Sequence, residues 1–264
     1  MTRRVLVLPW FDVAPRQAWA VWRREATMYK RVWPSTILSG LFDPVIYLLA
    51  MGFGLGALVG EVAGVPYVQF LAPGLIASAA MMAATFEVAW NSWIRIHQDR
   101  SYEAMLATPT TLDDVVAGEL LWATTRAGVY ATVMLVVVAA FGLVRSPWAL
   151  LAPVVAVAGG LLFAILGLAY TASVKHVDQL TFWFTLFLTP QFLFSGIFFP
   201  LDGMPAWVRA LAWATPLYHL VEAERALVLG HVDASTALHA AIVVAAALVL
   251  FRLPARLVRP HLIR

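Results

Sequence analysis

Four polar residues stand inside long apolar stretches of this 264-residue chain: Asp43, Glu87, Asn91 and Arg126. A charge at the centre of an inserted helix costs about 2.5–3.5 kcal/mol, so such groups face a packed interior or water, where they can gate a path or relay ions. Asp43 is followed by Pro44, which removes a backbone donor and kinks its helix. Glu87 and Arg126 lie at about the same depth on neighbouring antiparallel stretches. They either form an ion pair, or Arg126 snorkels while Glu87 meets water at its helix end. His219 and Glu222 stand one helical turn apart, but two ligands make a poor metal centre, and interfacial polar packing accounts for them better.

Other chemistries are missing by residue type. No G-x-x-x-x-G-K-[ST] occurs, and the only lysines, Lys30 and Lys175, follow Tyr29 and Val174, so no nucleotide-cradling loop exists. The six histidines include no H-E-x-x-H, and no G-x-S-x-G elbow is present. With no cysteine there is no disulfide, thiolate metal site or Cys nucleophile. The expectation is a chain that is not an enzyme, hydrolyses no ATP itself, and carries no catalytic residue, metal or cofactor of its own.

The elements that position these residues follow from composition. The chain is 62% hydrophobic and 12% charged, against roughly 45–50% and 25% in a soluble domain. Its mean hydropathy is +0.81. Six stretches have the length and apolarity of membrane spans: about 35–58, 70–93, 121–143, 149–172, 179–199 and 235–253. Before them, across 15–33, Trp19, Trp22, Ala26, Tyr29 and Trp33 recur at helical spacing, with Arg16, Arg23, Arg24, Lys30 and Arg31 largely off that stripe. This pattern predicts an amphipathic helix lying in the interface. The still earlier segment does not read as a signal peptide, because Pro9 and Asp12 interrupt its short apolar run. Between the fifth and sixth spans, 200–234 holds Pro200, Asp202, Gly203, Pro205 and Pro216 together with Arg209, His219, Glu222, Glu224 and Arg225. These residues oppose a seventh span and predict an extracytoplasmic re-entrant hairpin of two helices, about 205–214 and 217–229.

Charge placement tests the span count. With both termini cytoplasmic, fourteen of eighteen basic residues lie inside: Arg3, Arg4, Arg16, Arg23, Arg24, Lys30, Arg31, Arg95, Arg100, Lys175, Arg252, Arg256, Arg259 and Arg264. Only Arg145, Arg209 and Arg225 lie outside, and Arg126 sits just within the third span. The asymmetry supports an even number of spans, and the net charge of +3 reports orientation rather than a nucleic-acid partner. The longest inside loop, about 94–120, predicts a short helix stopped by Pro109. A second helix follows, capped by Thr111 with Asp114 three residues on. Tyr102, Met105 and Leu106 share one side of the first helix, which suits a partner's groove or the headgroup surface equally.

Five segments carry a family resemblance: VWRREATMYKR, ILSGLFDPVIYLLAMGFGLGALVG, GVPYVQFLAPGLIASAAMMAATFE, RSYEAMLATPTTLDDVVAGELLWATTRA and LTPQFLFSGIFFPLDGMPAWVRALAWATPLYHL. Spread over about 19–220, they resemble the permease subunits of ABC-2 type ABC transporters, and most of all the NodJ-like permeases of nodulation-factor exporters. The resemblance implies a single domain over 1–264 and a coupling helix at 98–109 that docks on a separate ATPase. By position its residues are Arg100, Ser101, Tyr102, Glu103, Ala104, Met105 and Leu106, ended by Thr108 and Pro109. It also implies a dimer of permeases, a second copy of this chain being the expected partner, above a dimer of NodI-like ATP-binding subunits that hold ATP and Mg. The family patterns FDP and TFE fall on Phe42, Asp43, Pro44 and on Thr85, Phe86, Glu87, which ties both acids to the conduit or its gate.

The expected fold is therefore an all-α integral membrane protein of the inner membrane. It has six transmembrane helices, an interfacial amphipathic helix and a re-entrant helical hairpin before the last span. The expected function is export of an amphiphilic molecule, a lipo-oligosaccharide or lipid-linked glycan, in contact with membrane lipids. Eight aromatic residues from Phe182 to Phe199 fit such cargo, or a lipid-facing surface. Export of a hydrophobic drug or antibiotic by the same architecture is the alternative. An ion-coupled secondary transporter would show an internal repeat with matching broken helices, and none is evident; a lipid-acting enzyme lacks its catalytic groups.

Overall fold

A computed structural model describes residues 6–8 and 11–262. Arg3, Arg4 and Arg264, counted among the inside basic residues, and the first residues of the N-terminal stretch lie outside the described residues. The chain opens with a two-stranded hairpin, β1 (Leu6–Leu8) and β2 (Phe11–Val13). Helix α1 (Pro15–Tyr29) follows, with proline at its first turn, where no amide partner is lost. Five helices among the described residues are long and apolar enough to cross a bilayer. Four of them are α2 (Trp33–Val59), α3 (Tyr67–His97), α5 (Leu112–Ala140) and α6 (Pro147–Ser173). The fifth, Ala234–Pro260, comprises α10 (Ala234–Leu250) and most of α11 (Leu253–Leu262). Between α2 and α3, β3 (Glu61–Val62) and β4 (Val65–Pro66) form a tight hairpin whose corner residues Ala63 and Gly64 both have positive φ, the turn that matches strand twist. Helix α4 (Ser101–Leu106) lies between α3 and α5.

Several boundaries follow from local chemistry. Thr111 accepts the amide of Asp114, and the Asp114 carboxylate returns to the Thr111 amide at 2.8 Å, so the predicted capping box starts α5. The helix it starts runs unbroken into the third span, because nothing between Leu112 and Ala140 interrupts it. The same carboxylate accepts the Ala14 amide at 2.6 Å and fixes the entry to α1.

The predicted fifth span, 179–199, is shorter in the structure. Helix α7 covers residues 180–194, about 22 Å at helical rise against a bilayer core of about 30 Å. Wide i→i+5 turns loosen it from Trp183 to Leu188, and beyond Phe194 the chain bends through Gly196, whose φ is +80°, toward Pro200. Two helices then occupy the expected hairpin segment, α8 (Ala206–Trp213) and α9 (Pro216–Leu229).

The core sits around α3, 83% buried across its apolar window, whereas α2 and α10 are 17% buried. Helix α3 packs on α5, α6 and α9. Apolar Leu38, Phe42, Leu49, Leu248 and Val249 therefore point outward, as lipid or a second protein surface requires. Small residues let the central helices approach: a Cβ added to Gly160 of α6 would collide with the Ala127 methyl of α5. This is the packing expected where lipid tails leave no hydrophobic drive between helices.

Candidate functional site

At the end of the bundle that carries α1 and α4, five ionised groups and two phenols converge in the interior. Arg95, on the last turns of α3, is the hub. Its Nη2 lies 2.8 Å from Glu25 Oε2 of α1 and 2.5 Å from Glu87 Oε1, and its Nη1 lies 3.0 Å from Glu119 Oε1 of α5. Glu87 shares its other oxygen with Arg126 of α5 at 2.5 Å and with the Asn91 amide at 2.7 Å. Glu25, Glu87 and Glu119 are each at most 3% exposed, and Arg95 and Arg126 are also buried. Such charges cost several kcal/mol each to desolvate. Here every carboxylate is paired with at least one guanidinium, and Arg24 adds a third cation at 2.5 Å from Glu25.

Helical geometry explains the convergence. Glu87 and Arg95 are eight residues apart on α3, and Glu119 and Arg126 seven apart on α5, so each pair shares a face. The α3 backbone opens into a wide i→i+5 turn from Glu87 to Asn91, a local irregularity that recurs at functional sites. Helix α1 comes close enough because residue 118 is glycine: a Cβ there would stand 2.6 Å from Val21 Cβ and 2.7 Å from the Ala18 carbonyl.

Hydrogen bonds extend the cluster to two more elements. Tyr102 of α4 is fully buried and donates to Glu119 Oε2 at 2.6 Å, beside Ser92, whose hydroxyl donates to the same oxygen at 2.5 Å. Arg126 donates to Tyr130 Oη at 3.2 Å, and Tyr130 donates to the Thr36 carbonyl of α2 at 2.6 Å. A continuous path thus runs from α4 through Glu119, Arg95, Glu87, Arg126 and Tyr130 to α2. Outside the spans, burial pushes the Glu25 carboxyl above its ordinary value against the pull of Arg95. Burial, reinforced by the Glu119 charge, pushes the Tyr102 phenol well up, so it remains a donor.

The two open alternatives for Glu87 and Arg126 resolve as an ion pair. Asp43 is elsewhere, exposed on α2 and outside the cluster. Trp22 donates to Thr125 of α5 at 3.0 Å and stacks on Trp19; Tyr29 meets Trp122, and Arg126 lies 5.3 Å from the Tyr29 ring centroid. Trp19 stays half exposed, and Trp33 belongs to the start of α2, not to α1. The apolar side of α4, suited by its sequence to a partner's groove or to the headgroup surface, packs instead on the chain's own core. Tyr102 is buried, and Met105 and Leu106 rest on the core, while Glu103, Ala104, Thr108 and Pro109 face outward and Ser101 lies between. Arg100 precedes α4 in a left-handed conformation, φ 49°. Sequence reasoning missed Glu25, Arg95 and Glu119. His219 pairs with His239 at 2.7 Å, Glu222 pairs with Arg225, and no cluster of three metal-binding side chains occurs among the described residues.

Five long apolar helices around a buried ionic cluster are the architecture of a multi-pass membrane protein. The sequence pattern described as ABC-2 type transporter matches residues 16–229, and the chain belongs to that family. Among curated relatives it is 41% identical to "Nodulation protein J" of Sinorhizobium fredii over 86% of this chain and 88% of the relative. To "Nodulation protein J" of Rhizobium meliloti it is 38% identical over 94% and 96% respectively. It is 25% identical to "Inner membrane transport permease YadH" of Escherichia coli over 78% and 80%.

Proposed function

We propose that the chain is the membrane subunit of an exporter for an amphiphilic molecule of the lipo-oligosaccharide or lipid-linked glycan class, driven by separate NodI-like ATP-binding subunits. The observation that carries this reading is the buried path from Tyr102 to Thr36: a push on α4 reaches α1, α3, α5 and α2 through paired charges rather than through a flexible loop. ATP-driven closure of the partner pair moves α4, and the cluster moves the ends of the spans with it. Two copies of the chain enclose the conduit, with the outward apolar faces of α2 and α10 against lipid or each other. In this reading α7 completes a sixth crossing, α8 and α9 form a re-entrant hairpin in the outer leaflet, α1 rests in the interface, and both termini are cytoplasmic in the inner membrane. ATP and Mg belong to the partner. The many relatives named Nodulation protein J favour an amphiphilic glycolipid over a drug.

Inverted vesicles containing the chain and its ATP-binding partner test this. ATP-dependent uptake of a labelled lipo-chitooligosaccharide is expected. Uptake driven by a proton gradient without ATP, or ATP-driven uptake of a hydrophobic drug but not the glycolipid, overturns it.

A further inference from the structure

One buried carboxyl takes no part in the ionic cluster. Glu224 stands at the centre of the buried face of α9, with Leu217, Leu220, Val221 and Val228 around it at helical spacing. Its side chain is 0% exposed, and among the described residues neither carboxyl oxygen has a hydrogen-bond partner or a counter-ion. The helix packs on α3, α6 and α10, so tightly that a Cβ added to Gly159 of α6 would collide with Leu220. The titratable groups of these elements are engaged elsewhere or distant. On α9 itself Glu222 pairs with Arg225, and His219 pairs with His239 of α10. Tyr170 of α6 donates to the Gln179 carbonyl, and Glu87, Arg95 and His97 lie toward the far end of α3. Tyr67, Arg145, Asp202, Arg209 and Tyr218 make no bond to Glu224. The three acids of the cluster, by contrast, each have a guanidinium partner.

A carboxylate sealed in apolar surroundings without a partner is too costly to persist, so Glu224 is a neutral acid while α9 is seated. The neutral acid still leaves its polar atoms unbonded, at a cost of about 1–3 kcal/mol, which water removes once that face is exposed. The α8–α9 hairpin hangs between two glycines in the left-handed region, Gly196 at φ +80° and Gly230 at φ +89°, element-terminal positions of the kind that serve as hinges. We propose that Glu224 is a proton-binding site that links the seating of this hairpin to pH: the carboxyl holds its proton while α9 lies on α3 and α6, and gives it to water when the hairpin lifts. Above the ordinary glutamate value of about 4.3, and until the seated carboxyl itself ionises, the seated state binds one proton more than the lifted state. Acid therefore holds the hairpin down and alkali frees it, by up to about tenfold per pH unit. The inference extends the exporter reading, in which this hairpin stands in the outer leaflet, but its test needs neither ATP nor cargo.

The chain has no cysteine, so Val221→Cys, at a fully buried position on the same face, places one thiol that a maleimide reaches only when the hairpin lifts. Its labelling rate is measured in the purified full chain between about pH 6 and 8. Val221→Cys/Glu224→Gln is measured alongside it, so that the ionisation of the thiol cancels and only the titration of residue 224 differs. The ratio of the two rates should rise with pH, by about tenfold or more across that range. Val221→Cys/Glu224→Met fills the site with an apolar side chain of similar length, keeps the fold if the buried amide does not, and should track the Gln variant in its pH profile. Val138→Cys of α5, also fully buried, should respond to pH equally with and without Glu224→Gln, because the hairpin lifts while the rest of the bundle stays closed. A ratio that is flat or falls with pH, a Met variant whose profile departs from that of Gln, or a Glu224-dependent response at residue 138 would overturn the proposal. Each of these leaves the exporter reading standing, because vesicle uptake is read separately, and failed uptake with a rising ratio leaves Glu224 as assigned.

Discussion

Tyr102 of the short surface helix α4 donates a 2.6 Å hydrogen bond to Glu119 of α5, and both side chains are buried. That contact joins α4, whose Glu103 and Ala104 are exposed, to the ionic cluster inside the bundle. Tyr102→Phe keeps the ring packing and removes only the donor, leaving Glu119 with Ser92 and Arg95. The expected cost in stability is about 1–3 kcal/mol. ATP hydrolysis by the reconstituted complex should persist while transport per ATP falls several-fold, measured side by side in the same vesicles.

Glu87 and Arg126 should be energetically coupled. Removing Glu87 leaves Arg126 buried without a carboxylate, costing about 3–5 kcal/mol, whereas removing Arg126 leaves Glu87 paired with Arg95 and costs less. Glu87→Gln with Arg126→Gln together should cost less than the sum of the singles. Thermal unfolding of the four proteins in one detergent checks this, and additive losses would show that the pair carries no coupling.

Gly118 sets how closely α1 lies on α5. Gly118→Ala places a methyl against Val21 Cβ and the Ala18 carbonyl, and overpacking of this kind costs about 1–3 kcal/mol. The Glu25–Arg95 contact should lengthen with it, so limited proteolysis should cut within α1 faster in this variant while leaving α6 as protected as before.

The long helices were legible because each is an apolar run bounded by Gly, Pro or charge, and the hydrocarbon length sets how long such a run must be. Span five was only partly legible. Its composition reads as a span throughout, but the helix ends at Phe194, where the chain bends through Gly196 toward Pro200. Glu87 and Arg126 stood out because charges deep in apolar sequence are rare. Glu25, Arg95 and Glu119 did not, because charges near helix ends are ordinary and the contact between α1 and α3 is set by tertiary packing. The signal available was spacing: eight residues from Glu87 to Arg95 and seven from Glu119 to Arg126 put opposite charges on common faces. Periodicity puts Tyr102 on an apolar side that suits a partner's groove or the headgroup surface equally, because it identifies such a side without saying what it meets. In the structure that side meets the chain's own core, and Glu103 and Ala104 on the other side are exposed.

Entry of motion through α4 is the central claim, and site-directed cross-linking tests it most directly. The chain has no cysteine, so Ala104→Cys places a single thiol on the outward face of α4. A short reagent that bonds to the thiol through a maleimide and to any neighbouring side chain through a photoreactive benzophenone should join this variant to the ATP-binding subunit in membranes, with a yield that changes between ATP-bound and nucleotide-free states. Leu238→Cys, exposed near the start of α10, should give no such product. Absence of an ATPase adduct at residue 104, or an equal yield from residue 238, would contradict docking on α4.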